Sequence, residues 1–462
     1  MKRNYLTYGF IMLSNMLFFN ELMAQDQLKL FTKTVESAVS YNKSFQNAVL
    51  ENKKVALDRE EVQGKLLPKV SLNALYGYVN SGMDLDLPTQ QLPITAINLF
   101  EGSTKANIST QLFATGVTAT QVIFSGLQIT NGQKALEQKY NAQKLMTEAS
   151  YDQLAQEIVT SFDQLMLLKE VNLLINDSEK RLNKEHLKVI KAIENGVAIP
   201  YDRDKIKLAM LELESKRAEV QSNRELLYYK LEELTGLPMD ELQAISYSLQ
   251  EIVLDDSATQ MNRKELQALE ASQKAYEFVL KKEKGAQLPM LFAFGNASYL
   301  NAFNSNATIK DVPQLGDLKL KSNHLQLAPA FAVGVGMKWN IFEGKSHKAA
   351  VEKAKLDLQI NDNKLADTKE KLSLLQRKTK SDYDLAMKKV SVNQQQMIIA
   401  KNNLNLASRQ FEEGLQDVTE RLEAENEYYK QSLSYYNQIL SQRTAATEVL
   451  KANGNLYQTI VR

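Results

Sequence analysis

The chain repeats part of its own sequence at a fixed spacing, and this repeat limits the folds that it can adopt. The segment Gln121–Gly126 returns 218 residues later as Trp339–Gly344, and Ile193–Gly196 returns at the same spacing as Phe411–Gly414. About 110 residues therefore align twice without a gap, which is typical of a duplicated structural unit. Each half reads as a helix, a strand, a long loop, a second strand, a very long helix and a returning helix.

The repeat and the N-terminus together divide the chain into four predicted parts. Lys2 and Arg3 precede an apolar stretch that is followed by Leu22-Met23-Ala24, which is the pattern of a secretory signal peptide. We predict cleavage after Ala24, and an uncleaved anchor is the alternative. The predicted parts are a signal peptide at 1–24, a first structural repeat at 25–236, an equatorial linker at 237–261 and a second structural repeat at 262–462.

Alternating apolar and polar residues predict four β-strands, two in each half. The predicted strands are Lys69–Val79, Phe113–Phe124, Met290–Leu300 and Phe331–Phe342. Strands of about 10 to 12 residues cross a bilayer when they are tilted, and a soluble sandwich sheet is the alternative interpretation. The intervening segments Ser81–Gln111 and Asn301–Gln326 are predicted to be long external loops. They either cover the exit of a pore or are variable surface.

Four strands are too few to close a barrel. About eight strands are the smallest number whose inward side chains just fill the interior. Because an open sheet edge is not tolerated in lipid, several copies of the chain would have to share their strands. The strand count alone therefore predicts an oligomer if the strands lie in a membrane.

Two very long helices are predicted, one in each half. No proline interrupts Leu127–Asn195 or Lys345–Glu413, and each run would span about 100 Å as an α-helix. Apolar residues of the second run recur every seven residues, with one shift of phase, which is typical of a coiled coil with a stutter. An ordinary coiled-coil rod without a transport role would show the same heptads.

Each long helix is predicted to end at a glycine and to reverse direction there. The glycines are Gly196 and Gly414, and the returning helices are predicted at about Tyr201–Leu234 and Val418–Ala452. These helices are about half as long as the outgoing ones. Segments from Asp26 to Leu66 and from Asn262 to Ala286 are predicted to stack on them end to end, with the linker at mid-height.

Composition argues against several classes of function. The 462 residues include no cysteine, and the net charge is +1, so neither thiolate chemistry nor a basic surface for nucleic acid is expected. The three histidines, His186, His324 and His347, lie far apart in the sequence. No metal-ligand spacing, phosphate-binding loop or nucleophile motif is present, so we expect neither enzyme activity nor a cofactor.

The chain resembles the TolC family of outer-membrane efflux proteins over essentially its whole mature length. The resemblance rests on the order and spacing of short motifs that are duplicated: Leu-Pro strand entries at Pro68 and Pro289, Phe-x-Gly strand exits at Phe124/Gly126 and Phe342/Gly344, and the tip glycines Gly196 and Gly414. It implies a mainly α fold with β-strands, in which a homotrimer forms one 12-stranded β-barrel in the outer membrane. A long α-helical coiled-coil barrel would continue it into the periplasm of a Gram-negative cell.

The resemblance also implies a function and partners. The trimer would be the duct of a tripartite efflux or type I secretion system, embedded in outer-membrane lipid. A periplasmic adaptor, or membrane fusion protein, and an inner-membrane transporter of the RND or ABC type would complete the path. A periplasmic coiled-coil scaffold or adaptor without a pore is the alternative, and neither the substrate nor the class of pump can be read from the sequence.

Residue roles are implied only at the tip. By analogy with the family, Gly196, Val197, Gly414 and Leu415 would contact the adaptor. Glu420 and Glu423 lie six and nine residues after Gly414, and Asp202 lies six after Gly196. These carboxylates would form an acidic ring at the periplasmic gate, or would simply occupy solvated first turns of helices. Phe411 and Gln416 replace a tyrosine and an arginine found in relatives, which leaves open how the tip is held closed.

Overall fold

The computed structural model describes residues 28–91, 94, 98–254, 261–312 and 316–461. The predicted signal peptide and part of the predicted linker lie outside these residues. The elements in chain order are α1 (Thr32–Tyr41), α2 (Lys43–Gly64), β1 (Lys69–Gln91), β2 (Asn98–Phe124), α3 (Gln128–Glu194), α4 (Pro200–Thr235), α5 (Met239–Ala244), α6 (Lys264–Gly285), β3 (Met290–Val312), β4 (Gly316–Lys338), α7 (Ser346–Glu412), α8 (Val418–Asn453) and α9 (Leu456–Val461).

The chain divides into two compact units. A helical unit comprises Met1–Lys54, Lys139–Gln273 and Ile360–Arg462. A sheet unit comprises Val55–Gln138 and Lys274–Gln359. Both predicted sequence repeats contribute segments to each unit, so the repeats are not the compact units of the fold.

The sheet unit contains one antiparallel sheet in the order β1-β2-β3-β4. β1 pairs with β2 from Lys69↔Thr120 to Gln91↔Asn98, and β3 pairs with β4 from Met290↔Lys338 to Val312↔Gly316. Pro68 and Pro289 directly precede the first residues of β1 and β3, as the strand-entry prediction requires. Within the described chain, β1 and β4 each pair on one side only, which leaves the two outer edges of the sheet free.

The strands are about twice as long as predicted, and the predicted loops are wrong. Ser81–Gln111 and Asn301–Gln326 consist mostly of paired strand rather than loop. Short polar runs such as Asn80-Ser81-Gly82 and Ser322-Asn323-His324 interrupt the apolar alternation that marked the strands, but backbone pairing does not require apolar side chains and continues through them. β4 also ends at Lys338, four residues before the predicted end at Phe342.

One face of the sheet is apolar and exposed. On the edge strands it carries Val70, Leu72, Tyr76 and Tyr78 of β1 and Phe331, Val333, Val335 and Met337 of β4, all exposed, with Val333 at 86%. On the opposite face, Phe294 and Phe292 lie over Gly334 and Gly336, where a Cβ would come within 2.9 and 2.5 Å of the rings. These two glycines therefore make room for aromatic rings of the neighbouring strand.

The long helices match the predicted bounds to within one residue at either end. α3 and α7 each contain 67 residues. In the helical unit, Tyr383, Val390 and Leu404 of α7, which lie at multiples of seven residues from one another as the predicted heptad pattern requires, are buried. Among the described residues, no helix is long and apolar enough to pass through a bilayer.

The N-terminal helix is broken in two, whereas one helix was predicted from Asp26 to Leu66. Asn42 separates α1 from α2, with an extended ψ of 122°. Its side-chain carbonyl accepts a hydrogen bond from the backbone N–H of Ser44 at 2.9 Å. Asn42 thus caps the second helix, which is a role that asparagine favours over a place in a helix interior.

Part of the predicted linker crosses the helical unit and is fastened to it by buried polar contacts. Gln442 of α8 accepts the backbone N–H of Ile252 at 3.0 Å and donates to its carbonyl at 2.7 Å. The buried guanidinium of Arg443 pairs with Asp163 of α3 at 2.8 Å, and Tyr247 of the linker donates to the same carboxylate. These bonds fix the linker segment against α3 and α8.

Candidate functional site: the helix tips

The turn between α3 and α4 is a tight C-terminal cap built around Gly196. This glycine has φ of 74°, in the left-handed region. The N–H of Gly196 donates to the carbonyl of Ile193 at 3.0 Å, and the N–H of Val197 donates to that of Ala192 at 2.8 Å. The bond that spans six residues is the mark of a Schellman motif, which requires a residue free of Cβ strain at the glycine position.

The turn between α7 and α8 repeats this geometry. Gly414 has φ of 72°, its N–H donates to the carbonyl of Phe411 at 3.1 Å, and the N–H of Leu415 donates to that of Gln410 at 2.8 Å. The repeat seen in the sequence therefore extends to the hydrogen bonds of the two tips. Val197 and Leu415 are 79% and 74% exposed, so each tip presents one apolar side chain to its surroundings.

The predicted acidic residues divide into a capping residue and exposed ones. Asp202 accepts the backbone N–H of Ile199 at 3.4 Å and so helps to cap α4. In α8 the cap is Asp417, which accepts the N–H of Glu420 at 2.9 Å, and this hydrogen bond lowers the pKa of Asp417. The side chains of Glu420 and Glu423 are exposed. Both carboxylates are therefore accessible to solvent in the single chain.

Lysine contacts tie the helices together close to the tips, where the tyrosine and arginine of relatives are missing. Lys188 of α3 pairs with Glu412 at the end of α7 at 2.6 Å, and Lys184 approaches the same carboxylate at 3.6 Å. Lys205 of α4 donates to the hydroxyl of Thr419 in α8 at 2.6 Å. Phe411 instead packs half-buried against the apolar cluster of the tip region. These ties join α3 to α7 and α4 to α8.

Four charged side chains, three of them buried and Arg181 one-third exposed, lie together between α3 and α8, a few turns from the tips. Arg421 is fully buried and pairs with Glu185 at 2.6 Å and with Glu425 at 2.9 Å. Arg181 also pairs with Glu425, at 2.7 Å, and the hydroxyl of Ser178 donates to it at 2.7 Å. We call Arg181, Glu185, Arg421 and Glu425 the buried quartet. Its charges sum to zero.

The two carboxyl groups of the quartet have opposite pKa shifts. Burial alone would raise the pKa of Glu425, but hydrogen bonds and charge from Arg181, together with the charge of Arg421, outweigh it and lower the pKa. Burial raises the pKa of Glu185 in spite of Arg421. One oxygen of Glu185 and two nitrogens of Arg421 are buried without a hydrogen-bond partner in the described chain. Glu185 is therefore the carboxyl group that takes up a proton first on acidification.

The sequence reading missed the quartet, although a signal for it exists. Residues Val418, Glu425, Ser432, Ile439 and Ala446 of α8 follow one another at steps of seven and are all buried. Glu425 thus occupies a core position of a coiled coil, where a charge is expensive unless it is paired. A charged residue on an otherwise apolar heptad stripe is the feature that could have pointed to a buried ion network.

The predicted site residues are brought together only in part. Gly196 with Val197 and Gly414 with Leu415 form two equivalent tips, and Glu420 and Glu423 follow the second one on α8. Pro68 and Pro289 belong to the sheet unit. Among the described residues, no group of three or more side chains is placed to hold a metal ion.

Comparison with known proteins gives the class of this fold. Residues 257–455 match the family described as outer membrane efflux protein. The outer-membrane channel OprN superimposes with a TM-score of 0.72 at 14% identity, over 95% of this chain and 92% of that chain. The outer-membrane channel CmeC of Campylobacter jejuni superimposes with a TM-score of 0.68 at 15% identity, over 92% of this chain and 86% of that chain. The channel MtrE of Neisseria gonorrhoeae, in its open state, superimposes with a TM-score of 0.67 at 16% identity, over 94% of this chain and 91% of that chain. No curated protein sequence matches the chain.

These matches confirm the predicted resemblance. The fold is that of the outer-membrane efflux channels, mainly helical with antiparallel strands. Residues 257–455, which cover most of the second predicted repeat, match the outer membrane efflux protein family, and the predicted resemblance to the TolC family is thereby confirmed.

Proposed function

We propose that three copies of this chain form an outer-membrane duct for efflux or type I secretion. The observation that carries the proposal is the sheet: one face is apolar and exposed, and both outer edges are free of a partner in the part of the chain that the structure describes. Apolar side chains are stable against lipid, but unpaired backbone groups are not. Pairing β1 of each copy with β4 of the next satisfies the edges and places twelve strands in one closed barrel.

The helical unit supports the same assembly. α3 and α8 contact each other, and α4 and α7 lie on either side and contact both. Both flanking helices expose large apolar side chains, including Leu385, Val392, Ile399 and Leu406 of α7 at steps of seven and Tyr201, Leu208, Leu226 and Tyr229 of α4. A second copy would cover these faces, so α7 of one copy packs against α4 of the next and twelve long helices close a ring.

The tips provide the contact with an adaptor in this proposal. Gly196 and Gly414 set two identical turns that present Val197 and Leu415, and such paired apolar knobs suit the apolar groove of a helical partner. The partner would be a periplasmic adaptor that connects the duct to an inner-membrane transporter, of the RND or the ABC type. Glu420 and Glu423, together with Asp202, would line the narrow periplasmic end of the lumen.

The proposed location is the outer membrane of a Gram-negative cell, with the helical unit in the periplasm. The signal-peptide pattern at 1–24 supports export from the cytoplasm. The scaffold or adaptor without a pore is disfavoured by the exposed apolar face of the sheet, which a soluble protein would have to cover.

Fractionation followed by reconstitution tests the proposal. The duct should be recovered from outer membranes with detergent, migrate as a trimer and conduct ions in planar bilayers once its periplasmic end is opened. Recovery as a soluble periplasmic monomer or dimer would support the scaffold instead.

A further inference from the structure

The two free edges of the sheet carry charges of opposite sign. In β1, the only charged residues beyond Lys69 are Asp84 and Asp86. In β4, the corresponding part of the strand carries Lys319 and Lys321, and the carboxylate of Asp317 near the start of the strand accepts the backbone N–H of Asp311. Asp84, Asp86, Lys319 and Lys321 are exposed, and none of these four forms an ion pair within the described chain.

The two acidic and the two basic side chains lie on the same face of the sheet. Rows of paired residues show this, because residues joined along a row point to the same side. Following the pairing from β1 to β4 gives the rows Asn80↔Ser109↔Asn306↔Lys321 and Gly82↔Asn107↔Thr308↔Lys319. Even-numbered residues of β1 in this region therefore share a face with Lys319 and Lys321, and Asp84 and Asp86 are the next two of them.

We propose that these four residues set the register between neighbouring copies: Asp84 of one copy lies opposite Lys321 of the next, and Asp86 lies opposite Lys319. The proposal rests on the trimeric duct proposed above. Both pairs form in a single antiparallel register, since a step of two up β1 matches a step of two down β4. Three interfaces would hold six ion pairs on the extension of the barrel beyond the apolar band.

The register differs from the pairing rows within one chain. In the charged part of the sheet, Lys321 shares a row with Asn80, so placing it opposite Asp84 of the next copy shifts the row by four residues there. In the apolar part, the row Leu72↔Val117↔Ala297↔Phe331 is shifted by two residues in the same register, because the pairing within the chain changes register between the two parts.

The charges also exclude wrong pairings. A row shift changed by two residues leaves one carboxylate and one ammonium group without a partner, and cross-strand pairs of opposite charge are favoured. Pairing β1 with β1 would place carboxylates together, and pairing β4 with β4 would place lysines together, so only the head-to-tail contact that closes a ring is favoured. Lys105 of β2 lies opposite Asp84 in the same chain and also attracts that carboxylate. It lies on the side of β1 away from the free edge, so it does not prevent Asp84 from pairing with a neighbouring copy.

Disulfide trapping tests the register directly, because the chain has no cysteine of its own. Residues directly opposite each other lie within the Cα separation that a disulfide tolerates, about 4.4–6.8 Å, whereas diagonal neighbours lie about 7–8 Å apart. The pairs D84C/K321C and D86C/K319C should each give a covalent trimer without reductant. Within one chain these positions are on opposite edges of the sheet, so any disulfide must join two copies.

Two further pairs serve as matched controls on the same face. D84C/K319C reports a row shift of two residues, and D86C/K321C reports a shift of six. Both should remain largely monomeric in denaturing gels, with at least tenfold less trimer than the two proposed pairs. If a control pair crosslinks better than they do, or if no pair crosslinks although the extracted protein is a trimer, the register is wrong and the duct stands. If the extracted protein is a monomer, the duct itself fails.

Charge reversal gives a second readout that does not depend on cysteine chemistry. The D84K/D86K and K319D/K321D variants should each lower the temperature at which the trimer dissociates in detergent. Combining all four substitutions should restore it, because each pair is re-formed with its signs exchanged. If D84K/D86K and K319D/K321D both lower the dissociation temperature and the fourfold variant does not restore it, the two edges are not in direct contact.

Discussion

At the scale of single residues, Arg421 is the side chain whose replacement should destabilise the helical unit most. It is fully buried between two carboxylates. Replacing it with Met leaves Glu185 buried without a cationic partner, whereas Glu425 keeps Arg181. Breaking a buried pair in this way costs about 3–5 kcal/mol. We expect R421M to increase hydrogen exchange in α8 near residue 421, and to affect the far end of α8, near residue 450, much less.

The matched control for Arg421 is an exposed arginine on the neighbouring long helix. Arg377 is exposed and donates only to a backbone carbonyl of its own helix, so R377M should change exchange by less than the equivalent of about 0.5 kcal/mol. R421K should recover part of the protection from hydrogen exchange, because lysine keeps the positive charge but lacks the planar guanidinium group that can bond two carboxylates at once. Equal effects of R421M and R377M would show that the quartet does not hold α3 against α8.

Asp152 provides a prediction about pH. Its carboxylate accepts the N–H of Tyr457 at 2.7 Å, and burial raises its pKa to about 6, despite the opposing effects of that hydrogen bond and of Arg263 and Lys451. Because this pKa lies above the ordinary value of 3.8, the folded state binds the proton more strongly than the unfolded state does. The resulting stability is present below about pH 4 and is lost as pH rises through about 6.

Asn at position 152 removes the charge and keeps the hydrogen-bond acceptor. D152N should therefore melt at the same temperature as the parent protein at pH 4 and be more stable by about 3 kcal/mol at pH 8. D152A lacks the acceptor for the N–H of Tyr457 and should be less stable than D152N at both values. A difference between D152N and the parent that does not change with pH would show that the carboxyl group titrates normally.

At the scale of elements, the exposed stripe of α7 should act in assembly and not in folding. Val392 and Ile399 are exposed in the single chain, so their replacement by lysine removes little packing there. In the proposed trimer they face α4 of the next copy, and burying two lysines at that contact is costly. We expect V392K/I399K to keep the helical circular dichroism of the parent while the trimer fraction in detergent falls at least tenfold.

Polar residues on the same helix supply the control for this variant. Gln394 and Asn405 are exposed and lie on a different face of α7, roughly 120–160° around the helix axis from the two apolar positions. The Q394K/N405K variant adds the same charge without touching the stripe and should remain a trimer. Should both double variants dissociate alike, charge on α7 and not loss of apolar contact would be the cause, and the packing of α7 against α4 would be wrong.

The elements also show what could be read from the sequence. Helix ends were predicted closely because local chemistry sets them: Gly196 and Gly414 terminate α3 and α7 by their own backbone conformation. The full length of β1 to β4 was not predicted, because apolar alternation indicates which part of a strand has an apolar environment and not where its backbone hydrogen bonding stops. The quartet was missed for a related reason, since the burial of Arg421 depends on Glu185, 236 residues away in the sequence.

At the scale of the whole molecule, symmetry turns single residues into rings. Glu420 and Glu423 are exposed on α8 just after the second tip, and threefold symmetry would place six carboxylates around the periplasmic end of the lumen. A narrow passage lined by carboxylates favours cations and repels anions. If these two side chains only solvate the first turns of a helix, the same sequence would have no effect on ion passage.

Reconstitution of the trimer in planar bilayers separates these interpretations. With the tip opened, the parent channel should prefer cations, and E420Q/E423Q should reduce the ratio of cation to anion permeability several-fold at about 0.1 M salt. Both channels should lose selectivity at about 1 M salt, because the Debye length falls from about 10 to about 3 Å. Glu370, which is exposed on α7 far from the tip, gives the control variant E370Q, which should keep the preference. An unchanged permeability ratio in E420Q/E423Q would place both carboxylates outside the lumen and would leave the narrowest part of the duct to other residues.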